Sequence, residues 1–213
     1  MRMETVVELN GLVAVLNGFP ALAGVDLRVD KGEIVLLQGP NGAGKTSVLR
    51  VCAGLLPIER GTGRILGADL VTQRDVIRSR VGMLGHSNGL YLDLTVRQNL
   101  QFWSATVGAT DDEVASAMAR MRIDGRLADV RAGQLSAGQR RRTALAALIV
   151  RRAELWLLDE PHAGLDAAGR DELDRLLRDA VTAGATVVLA SHESERAAGL
   201  ATRTVTIDGG GAR

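Results

Sequence analysis

The sequence is poor in several features that would tie it to particular classes of protein. Cys52 is the only cysteine in 213 residues, so no disulfide can form within the chain. No apolar stretch approaches the length of about 18 residues that a transmembrane helix needs. The amino terminus alternates like a strand rather than carrying the apolar segment of a signal peptide. The formal net charge is +1, so no overall basic field attracts nucleic acid. We therefore expect a cytosolic protein that binds no nucleic acid and meets a membrane only through a partner.

Lysine is also scarce, and its placement points to a binding site. The sequence has Lys31 and Lys45 only, and the second belongs to the segment GPNGAGKT, residues 39–46. That segment fits G-x-x-x-x-G-K-[ST] at every fixed position. An apolar run precedes it at 33–37, and a helical spacing of apolar residues follows it at 47–56. A glycine-rich turn without a ligand is the alternative, which this strand–loop–helix context disfavours.

Such a loop has the chemistry of a phosphate cradle. Its backbone N–H groups turn inward, and the start of the following helix adds positive potential. Lys45 can reach the β- and γ-phosphates of a nucleotide, and the Thr46 hydroxyl can hold Mg²⁺. The residues predicted to bind ATP in this segment are Gly39, Pro40, Asn41, Gly42, Ala43, Gly44, Lys45, Thr46 and Ser47.

The remaining apolar runs predict an α/β fold. They lie at 81–84, 155–158 and 186–190 and are separated by helical patterns, as in a parallel sheet covered on both faces. Residues from about 4 to 30 instead show short strands, with an apolar–polar alternation at 25–30 that is typical of a half-exposed antiparallel strand. The glycine run at 209–211 predicts a frayed tail.

We therefore predict one α/β domain of the P-loop NTPase (RecA-like) class over residues 1–213. It would contain a mainly parallel sheet, an N-terminal antiparallel β-subdomain and an inserted helical subdomain. The predicted boundaries are about 1–85 and 136–213 for the nucleotide-binding core, and about 86–135 for the helical subdomain.

Two acidic residues follow one of the buried runs. Leu155–Leu158 ends in Asp159 and Glu160, which places carboxylates at the carboxyl edge of a parallel sheet, where ligands bind in open α/β folds. We predict that Asp159 holds Mg²⁺ and that Glu160 orients and polarises the attacking water. An acidic turn in solvent is the alternative, and a phosphate loop elsewhere in the chain disfavours it.

A second anion site is predicted at Ser136. Ser136 is a good helix N-cap, and the helix that follows runs to about Arg152. A Ser-x-Gly at a helix start can bind an anion, yet one nucleotide does not need two such starts within one subunit. A dimer solves this, with each Ser136 region capping the γ-phosphate held by the other subunit. A capped helix with no ligand is the alternative.

Together these motifs resemble the ATP-binding subunits of ABC transporters, in the order phosphate loop, LSAGQ at 135–139, acidic strand end, AGLD at 163–166, and His192. The resemblance implies that Ser136, Gly138 and Gln139 bind the nucleotide. It also implies that Asp166 contacts the opposite subunit, and that His192 contacts the γ-phosphate and holds Glu160. It predicts an ATPase with Lys45, Glu160 and His192 in catalysis. It further predicts a homodimer that binds integral membrane permease subunits at the cytoplasmic face of the membrane.

The chain departs from that family at two positions. His86 stands where the family usually has a glutamine that links the nucleotide to the membrane partner. A neutral imidazole can both donate and accept a hydrogen bond, as glutamine does, so we predict that His86 contributes to the site. Leu16 stands where the family often stacks adenine on an aromatic ring, and the nearby Phe19 is a possible substitute.

The segment LGHSNGL at 84–90 and the segment LTVRQNLQFW at 94–103 resemble the haem exporter ATPases of cytochrome c maturation. That resemblance implies haem export, although Gln98 and His162 depart from the usual pattern.

Three alternative functions remain. One is an ABC ATPase serving another transported substrate. A second is a non-transport ATPase acting on DNA or ribosomes, for whose coiled-coil insertion the interval from Lys45 to Ser136 leaves no room. A third is a regulator without turnover, against which the intact Lys45, Asp159, Glu160 and His192 argue.

Overall fold

The computed structural model describes residues 4–16, 18–192, 194–208 and 211–212. Within them the strands are β1 (Thr5–Leu16), β2 (Phe19–Asp30), β3 (Ile34–Gln38), β4 (Arg60–Ile65), β5 (Ala68–Asp69), β6 (Val81–Leu84), β7 (Leu155–Asp159), β8 (Thr186–Ala190), β9 (Arg203–Asp208) and β10 (Gly211–Ala212). The α-helices are α1 (Lys45–Cys52), α2 (Arg74–Arg80), α3 (Val96–Val107), α4 (Asp111–Arg120), α5 (Ala137–Val150), α6 (Ala167–Thr182) and α7 (Ser194–Leu200). Short 3₁₀ helices cover Gly125–Asp129 and Ala132–Gln134.

Two sheets form the framework. The four-stranded sheet is antiparallel where β1 pairs β2 and β4, and its order is β2-β1-β4-β5. The six-stranded sheet has the order β10-β9-β3-β8-β7-β6. Its strands are parallel from β9 to β6, and β10 pairs antiparallel with β9 at one edge. The loops that follow β3, β6, β7 and β8 therefore meet at one edge, which is where open α/β sheets bind ligands.

Burial follows the predicted patterns. Val25, Leu27 and Val29 of β2 are buried, while Asp26 and Arg28 between them are exposed. Every residue of β7 and β8 is buried, as expected for strands covered on both faces. The predicted strands at 81–84 and 186–190 are confirmed, and Cys52 on α1 is buried.

Three local features differ from the sequence-based expectations. Helix α1 begins at Lys45, because the phosphate loop turns directly into the helix. Strand β9 was not predicted, because its apolar pattern is short. Its parallel pairing with β3, a strand distant in the chain, places it in the sheet. The predicted frayed tail is wrong at Gly211, which pairs with Asp208 in β10, while Gly209 and Gly210 lie outside the described residues.

The segment between β6 and α5 is helical, as expected. Helices α3 and α4 each start at a threonine, Thr95 and Thr110, whose side chain accepts from the N–H three residues on. In both cases the residue at that third position returns a hydrogen bond, which completes a capping box. The boundaries of the helical subdomain stay a prediction. Among the described helices, none combines the length and hydropathy needed to cross a membrane.

Candidate nucleotide site

The phosphate loop joins β3 to α1 in a backbone shape that requires glycine. Gly39, Gly42 and Gly44 all have positive φ, at 144°, 81° and 104°. A Cβ added at Gly39 would lie 2.0 Å from the carbonyl oxygen of Ile207 in β9, so any side chain there would displace backbone. Gly44 is the N-cap of α1, and no side chain of the described residues caps this helix start. Its first-turn N–H groups are therefore oriented for an external acceptor.

Lys45 is held at the mouth of this loop. Its Nζ donates to the carbonyl oxygens of Gly39 at 2.8 Å and Pro40 at 2.9 Å, and the residue is only 8% exposed. An ammonium group has three donors, so one remains for a phosphate oxygen. The loop thus fixes its cation next to the free N–H groups of α1.

Thr46 and Asp159 meet across the sheet edge. The Thr46 hydroxyl donates to Oδ2 of Asp159 at 2.8 Å, and Asp159 is buried at the end of β7. Mg²⁺ prefers hard oxygen ligands and is usually bound by one or two protein groups together with substrate phosphates and water. The described residues contain no group of three or more His, Cys, Asp or Glu side chains that could form an all-protein metal site. The Thr46–Asp159 pair therefore fits Mg²⁺ that is shared with phosphate.

Glu160 and His192 come from neighbouring strands. Glu160 follows β7 with a positive φ of 48°, and its N–H donates to the carbonyl oxygen of Ala190 at 2.9 Å. Its carboxylate accepts from the backbone N–H of His192 at 3.1 Å, and Nε2 of His192 lies 3.5 Å from the other carboxylate oxygen. The His192 side chain is 58% exposed, so its ring can contact a ligand as well as Glu160.

A single cavity of about 920 Å³ brings most of the predicted residues together. Phe19, which is 76% exposed, and Leu16, which is 37% exposed, both line it beyond the phosphate loop. An adenine placed there can contact either side chain. The predicted site residues that line the cavity are Asn41, Gly42, Ala43, Gly44, Lys45, Thr46, Ser47, His86, Asp159, Glu160 and His192.

The other predicted residues lie elsewhere. Ser136 and Gln139 form a capping box at the start of α5, in which each side chain bonds the backbone N–H of the other residue. A Cβ at Gly138 would lie 2.9 Å from the carbonyl oxygen of Gly164, so this helix start packs closely on the loop before α6. Ser136, Gly138, Gln139 and Asp166, and likewise Gly39 and Pro40 at the start of the phosphate loop, are within the described ranges and are not among the residues that line the cavity.

Asp166 is the N-cap of α6. Its Oδ1 accepts from the N–H of Gly169 at 2.8 Å and from the guanidinium of Arg142 at 2.9 Å. The Gly169 hydrogen bond, and then the charge of Arg142, hold the pKa of the Asp166 carboxyl below its usual range. Asp166 is therefore an exposed, ionised carboxylate fixed beside the start of α5.

Sequence analysis missed Arg141, which is 4% exposed and lies against the end of β7. Burial lowers the pKa of its guanidinium to about 10, while the charges of Asp159 and Glu160 oppose that change. The group therefore stays charged at neutral pH. Arg141 follows Gln139 within a run of three arginines at 140–142. Nothing in that run distinguishes the buried arginine from its neighbours.

Comparisons with known proteins identify the family. The sequence profile of the family described as "ABC transporter" matches residues 22–163. The cytochrome c biogenesis ATP-binding export protein CcmA of Xanthomonas campestris pv. campestris (strain 8004) is 41% identical over 194 residues, covering 90% of this chain and 89% of that protein. The protein of the same name from Nitrobacter winogradskyi (strain ATCC 25391 / DSM 10237 / CIP 104748 / NCIMB 11846 / Nb-255) is 36% identical over 200 residues, covering 94% and 96%.

Solved structures confirm the predicted fold class. The ATP-binding subunit of an ABC transporter superimposes with a TM-score of 0.89 at 24% identity, covering 97% of this chain and 87% of that one. A dimeric post-hydrolysis state of the ATP-binding cassette MJ0796, bound to ADP and Pi, gives a TM-score of 0.89 at 24% identity and covers 97% and 96%. With the family profile and the relatives, these likenesses lead to one assignment: the chain belongs to the ABC transporter family, as an ATP-hydrolysing subunit similar to the CcmA proteins.

Proposed function

We propose that the cavity binds ATP with Mg²⁺ and that Glu160 and His192 carry out its hydrolysis. One observation carries this proposal: the Thr46–Asp159 pair, the Glu160–His192 pair and Lys45 all face the same cavity. The phosphates would lie on the backbone N–H groups of the phosphate loop and of the first turn of α1, with Lys45 between the β- and γ-phosphates. When bound by Thr46 and Asp159, Mg²⁺ supplies charge neutralisation at the β- and γ-phosphate oxygens.

Glu160 and His192 have different roles in hydrolysis. The Glu160 carboxylate accepts a proton from the attacking water, whose oxygen forms a bond to the γ-phosphorus. The bond from the γ-phosphorus to the bridging oxygen breaks, and ADP and phosphate leave. His192 holds one carboxylate oxygen of Glu160 through its backbone N–H, and its exposed ring can donate to the γ-phosphate. His86 lines the cavity just after β6, where it can contact the nucleotide and link it to a partner protein.

The second part of the proposal is a nucleotide-dependent homodimer. Ser136, Gly138 and Gln139 start a helix outside the cavity. A second copy is therefore needed to bring its LSAGQ segment at 135–139, the signature segment, to the γ-phosphate. Two half-sites on one surface favour an isologous interface with two-fold symmetry. The exposed carboxylate of Asp166 lies beside the same helix start, and in the dimer it would contact the other subunit.

Glu160→Gln tests both parts together. This substitution removes the base and keeps ATP binding, so turnover should fall by roughly 100-fold or more while a dimer accumulates with ATP and Mg²⁺. Sedimentation at micromolar protein concentration, alone and with the membrane partner, measures the dimer. The double variant Lys45→Ala/Glu160→Gln is the control and should stay monomeric. A Glu160→Gln protein that is monomeric in both settings, or that hydrolyses ATP normally, would contradict the proposal.

We further propose that the ATPase drives a membrane permease from the cytoplasmic face, as a peripheral subunit. The relatives at 36–41% identity are named as export proteins of cytochrome c biogenesis, which favours that process and the haem-type cargo that the sequence resemblance implies. An aromatic cluster supports a docking surface. Tyr91 packs edge-on against Phe102 at 4.9 Å, and Phe102 packs against Trp103 at 5.1 Å. Tyr91, Leu92 and Phe102 are exposed, and such patches mark interaction sites.

A transporter for another substrate is the competing function, and genetics separates the two. Deletion of the gene should abolish covalent haem attachment to c-type cytochromes, and wild type but not Glu160→Gln should restore it. Phe102→Ser should retain ATP hydrolysis yet fail to restore cytochromes, because only docking is removed. Normal cytochromes in the deletion strain would favour another cargo, and the neighbouring reading frames would then indicate which membrane protein is served.

A further inference from the structure

The guanidinium of Arg141 satisfies every one of its donors. Nε donates to the carbonyl oxygen of Pro161 at 3.2 Å. One terminal nitrogen donates to the carbonyl oxygen of Asp159 at 2.8 Å and to that of Glu160. The other terminal nitrogen donates to the carbonyl oxygen of Gly85 at 2.8 Å and to Oδ1 of Asn88 at 3.1 Å. An arginine side chain has five N–H donors, and here five oxygen contacts occupy them.

We propose that Arg141 is a positioning residue that holds Glu160 in its hydrolytic geometry and couples that geometry to the loop carrying His86. The proposal rests on the role of Glu160 proposed above and adds a residue that acts through it. Arg141 itself lies outside the set of residues that line the nucleotide cavity, within the described part of the chain.

The backbone of Glu160 explains why such a clamp is needed. A non-glycine residue with φ of 48° lies in the left-handed region, and it keeps this strained conformation only where its surroundings impose it. Arg141 binds the carbonyl oxygens on both sides of the Glu160 residue and its own carbonyl. Because the peptide planes are fixed at three successive carbonyls, the side chain is directed toward the backbone N–H of His192.

The same guanidinium reaches the end of β6. Gly85 directly precedes His86, and Asn88 follows it, so two of the five donors hold the loop on either side of this histidine. Arg141 belongs to α5, whose first residues carry the signature segment. A displacement of α5 against the sheet would therefore pull on both the Glu160 backbone and the His86 loop. This connection resists displacement, because the hydrogen bonds to the carbonyl oxygens of Asp159 and Pro161 are buried and breaking them would leave polar groups without these partners.

Arg141→Lys and Arg141→Met test the clamp. Lysine keeps the charge but has three donors and no planar fork, and methionine keeps much of the volume but has no donor. We expect kcat to fall about 10-fold in Arg141→Lys and about 100-fold in Arg141→Met, since small misplacements of a catalytic group have effects of this size. The dissociation constant for ATP should stay within about 2-fold of wild type, because the five acceptors of Arg141 all lie outside the phosphate loop. Partial rescue by lysine and the split between kcat and affinity are results that a purely structural role would not produce.

Arg151→Lys is the matched control. Arg151 also sits at α5, donates to the carbonyl oxygens of Arg78 and Val81, and has its pKa lowered by burial. Arg151 lies at the end of α5 that is remote from Glu160. Arg151→Lys should therefore lower thermal stability and leave kcat unchanged. An Arg141→Lys protein with normal kcat, or with kcat and ATP affinity reduced in parallel, would overturn the proposal. Glu160→Gln measured alongside separates the two claims: if it is inactive while Arg141→Lys is normal, only the clamp is wrong.

Asn88→Ala keeps the proposal testable should the Arg141 variants fail to fold. It removes one acceptor and leaves the four carbonyl contacts of Arg141 in place. We expect kcat to fall roughly 2-fold to 5-fold with unchanged ATP affinity, a smaller version of the effect of misplacement. In the Arg141→Lys background, where folded, the same change should add little, because neighbouring residues of one network are not additive. Full activity of Asn88→Ala would count against the coupling to the His86 loop.

Discussion

Two helix starts in this protein look alike in sequence and differ in how many of their backbone N–H groups remain free to bind a ligand. Helix α1 begins after Gly44, which is in the left-handed region and offers no side-chain cap. Helix α5 begins after Ser136, whose hydroxyl already accepts from the N–H of Gln139, while Gln139 binds the N–H of Ser136 in return. An uncapped start leaves its first-turn donors for a ligand, and a capped start has used one of them.

The difference assigns the two starts different tasks. The α1 loop also carries a cation, Lys45, held by the loop carbonyls next to the free N–H groups. The first turn of α5 carries Arg140 in place of a lysine held by loop carbonyls, and this helix start packs on Gly164. The α1 start therefore has what is needed to hold a nucleotide by itself. The α5 start is better suited to completing a site whose phosphates are already held, as a second subunit would do.

The largest effect is expected at Lys45. Lys45→Ala should weaken ATP binding by at least about 10-fold and up to about 100-fold, since a hydrogen bond to a charged group contributes about 1.5–3 kcal/mol. Titration calorimetry or a fluorescent ATP analogue measures this. Lys31→Ala is the control, because Lys31 is the only other lysine and forms an exposed ion pair with Glu4. Equal ATP affinities of Lys45→Ala and wild type would contradict the assignment of the phosphate site to the start of α1.

Gly39→Ala and Gly138→Ala place the same methyl group at the two starts. At Gly39 the methyl would lie 2.0 Å from a backbone oxygen at positive φ, and we expect a loss of about 2 kcal/mol or more in unfolding free energy. At Gly138 the nearest atom is 2.9 Å away, and the gain in helix propensity of up to about 1 kcal/mol offsets the strain. Urea denaturation compares the two. Similar losses at both positions would show that the α1 loop is no more constrained than the α5 start.

Ser136→Ala removes the cap of α5. We expect a loss of about 1 kcal/mol in stability, unchanged ATP affinity of the isolated chain, and reduced turnover, because only the dimer uses this helix start. Thr95→Ala is a matched control, since Thr95 forms the same capping box at α3. It should lower stability by a similar amount and leave turnover per folded molecule unchanged. Equal turnover in the two variants would indicate that Ser136 is merely a cap.

The smallest effect concerns Cys52, on the face of α1 that packs into the core. Burial raises the pKa of its thiol from an ordinary value of 9.0 to about 12. Since the raised pKa belongs to the folded state, the unfolded chain loses this proton first as pH rises. Stability contributed below pH 9 is therefore lost above it, by about 0.8 kcal/mol at pH 9.5. Denaturation at pH 8 and 9.5 measures the loss, which should be smaller in Cys52→Ala. Alkylation of Cys52 should also slow when ATP binds, because α1 opens less often.

Local rules account for much of what could be predicted. The strand at 186–190 is a continuous apolar run, and Ser136 with Gln139 has the pattern of a capping box, so both depend on neighbouring residues alone. The family resemblance and the fold class were confirmed by the comparisons. Strand β9 escaped prediction because its alternating exposed and buried residues form a short pattern whose partner, β3, is distant in the chain.

The amino-acid sequence by itself determined the phosphate loop, because positive φ at Gly39, Gly42 and Gly44 and the reach of Lys45 are properties of a few consecutive residues. It also indicated the two carboxylates, since a buried strand ends where Asp159 and Glu160 begin. Only the tertiary structure decided which of three consecutive arginines becomes the buried clamp. The oxygens that bind Arg141 come from the ends of β6 and β7, and hydrogen bonds between such distant segments exist only once the sheet has brought their carboxyl ends together.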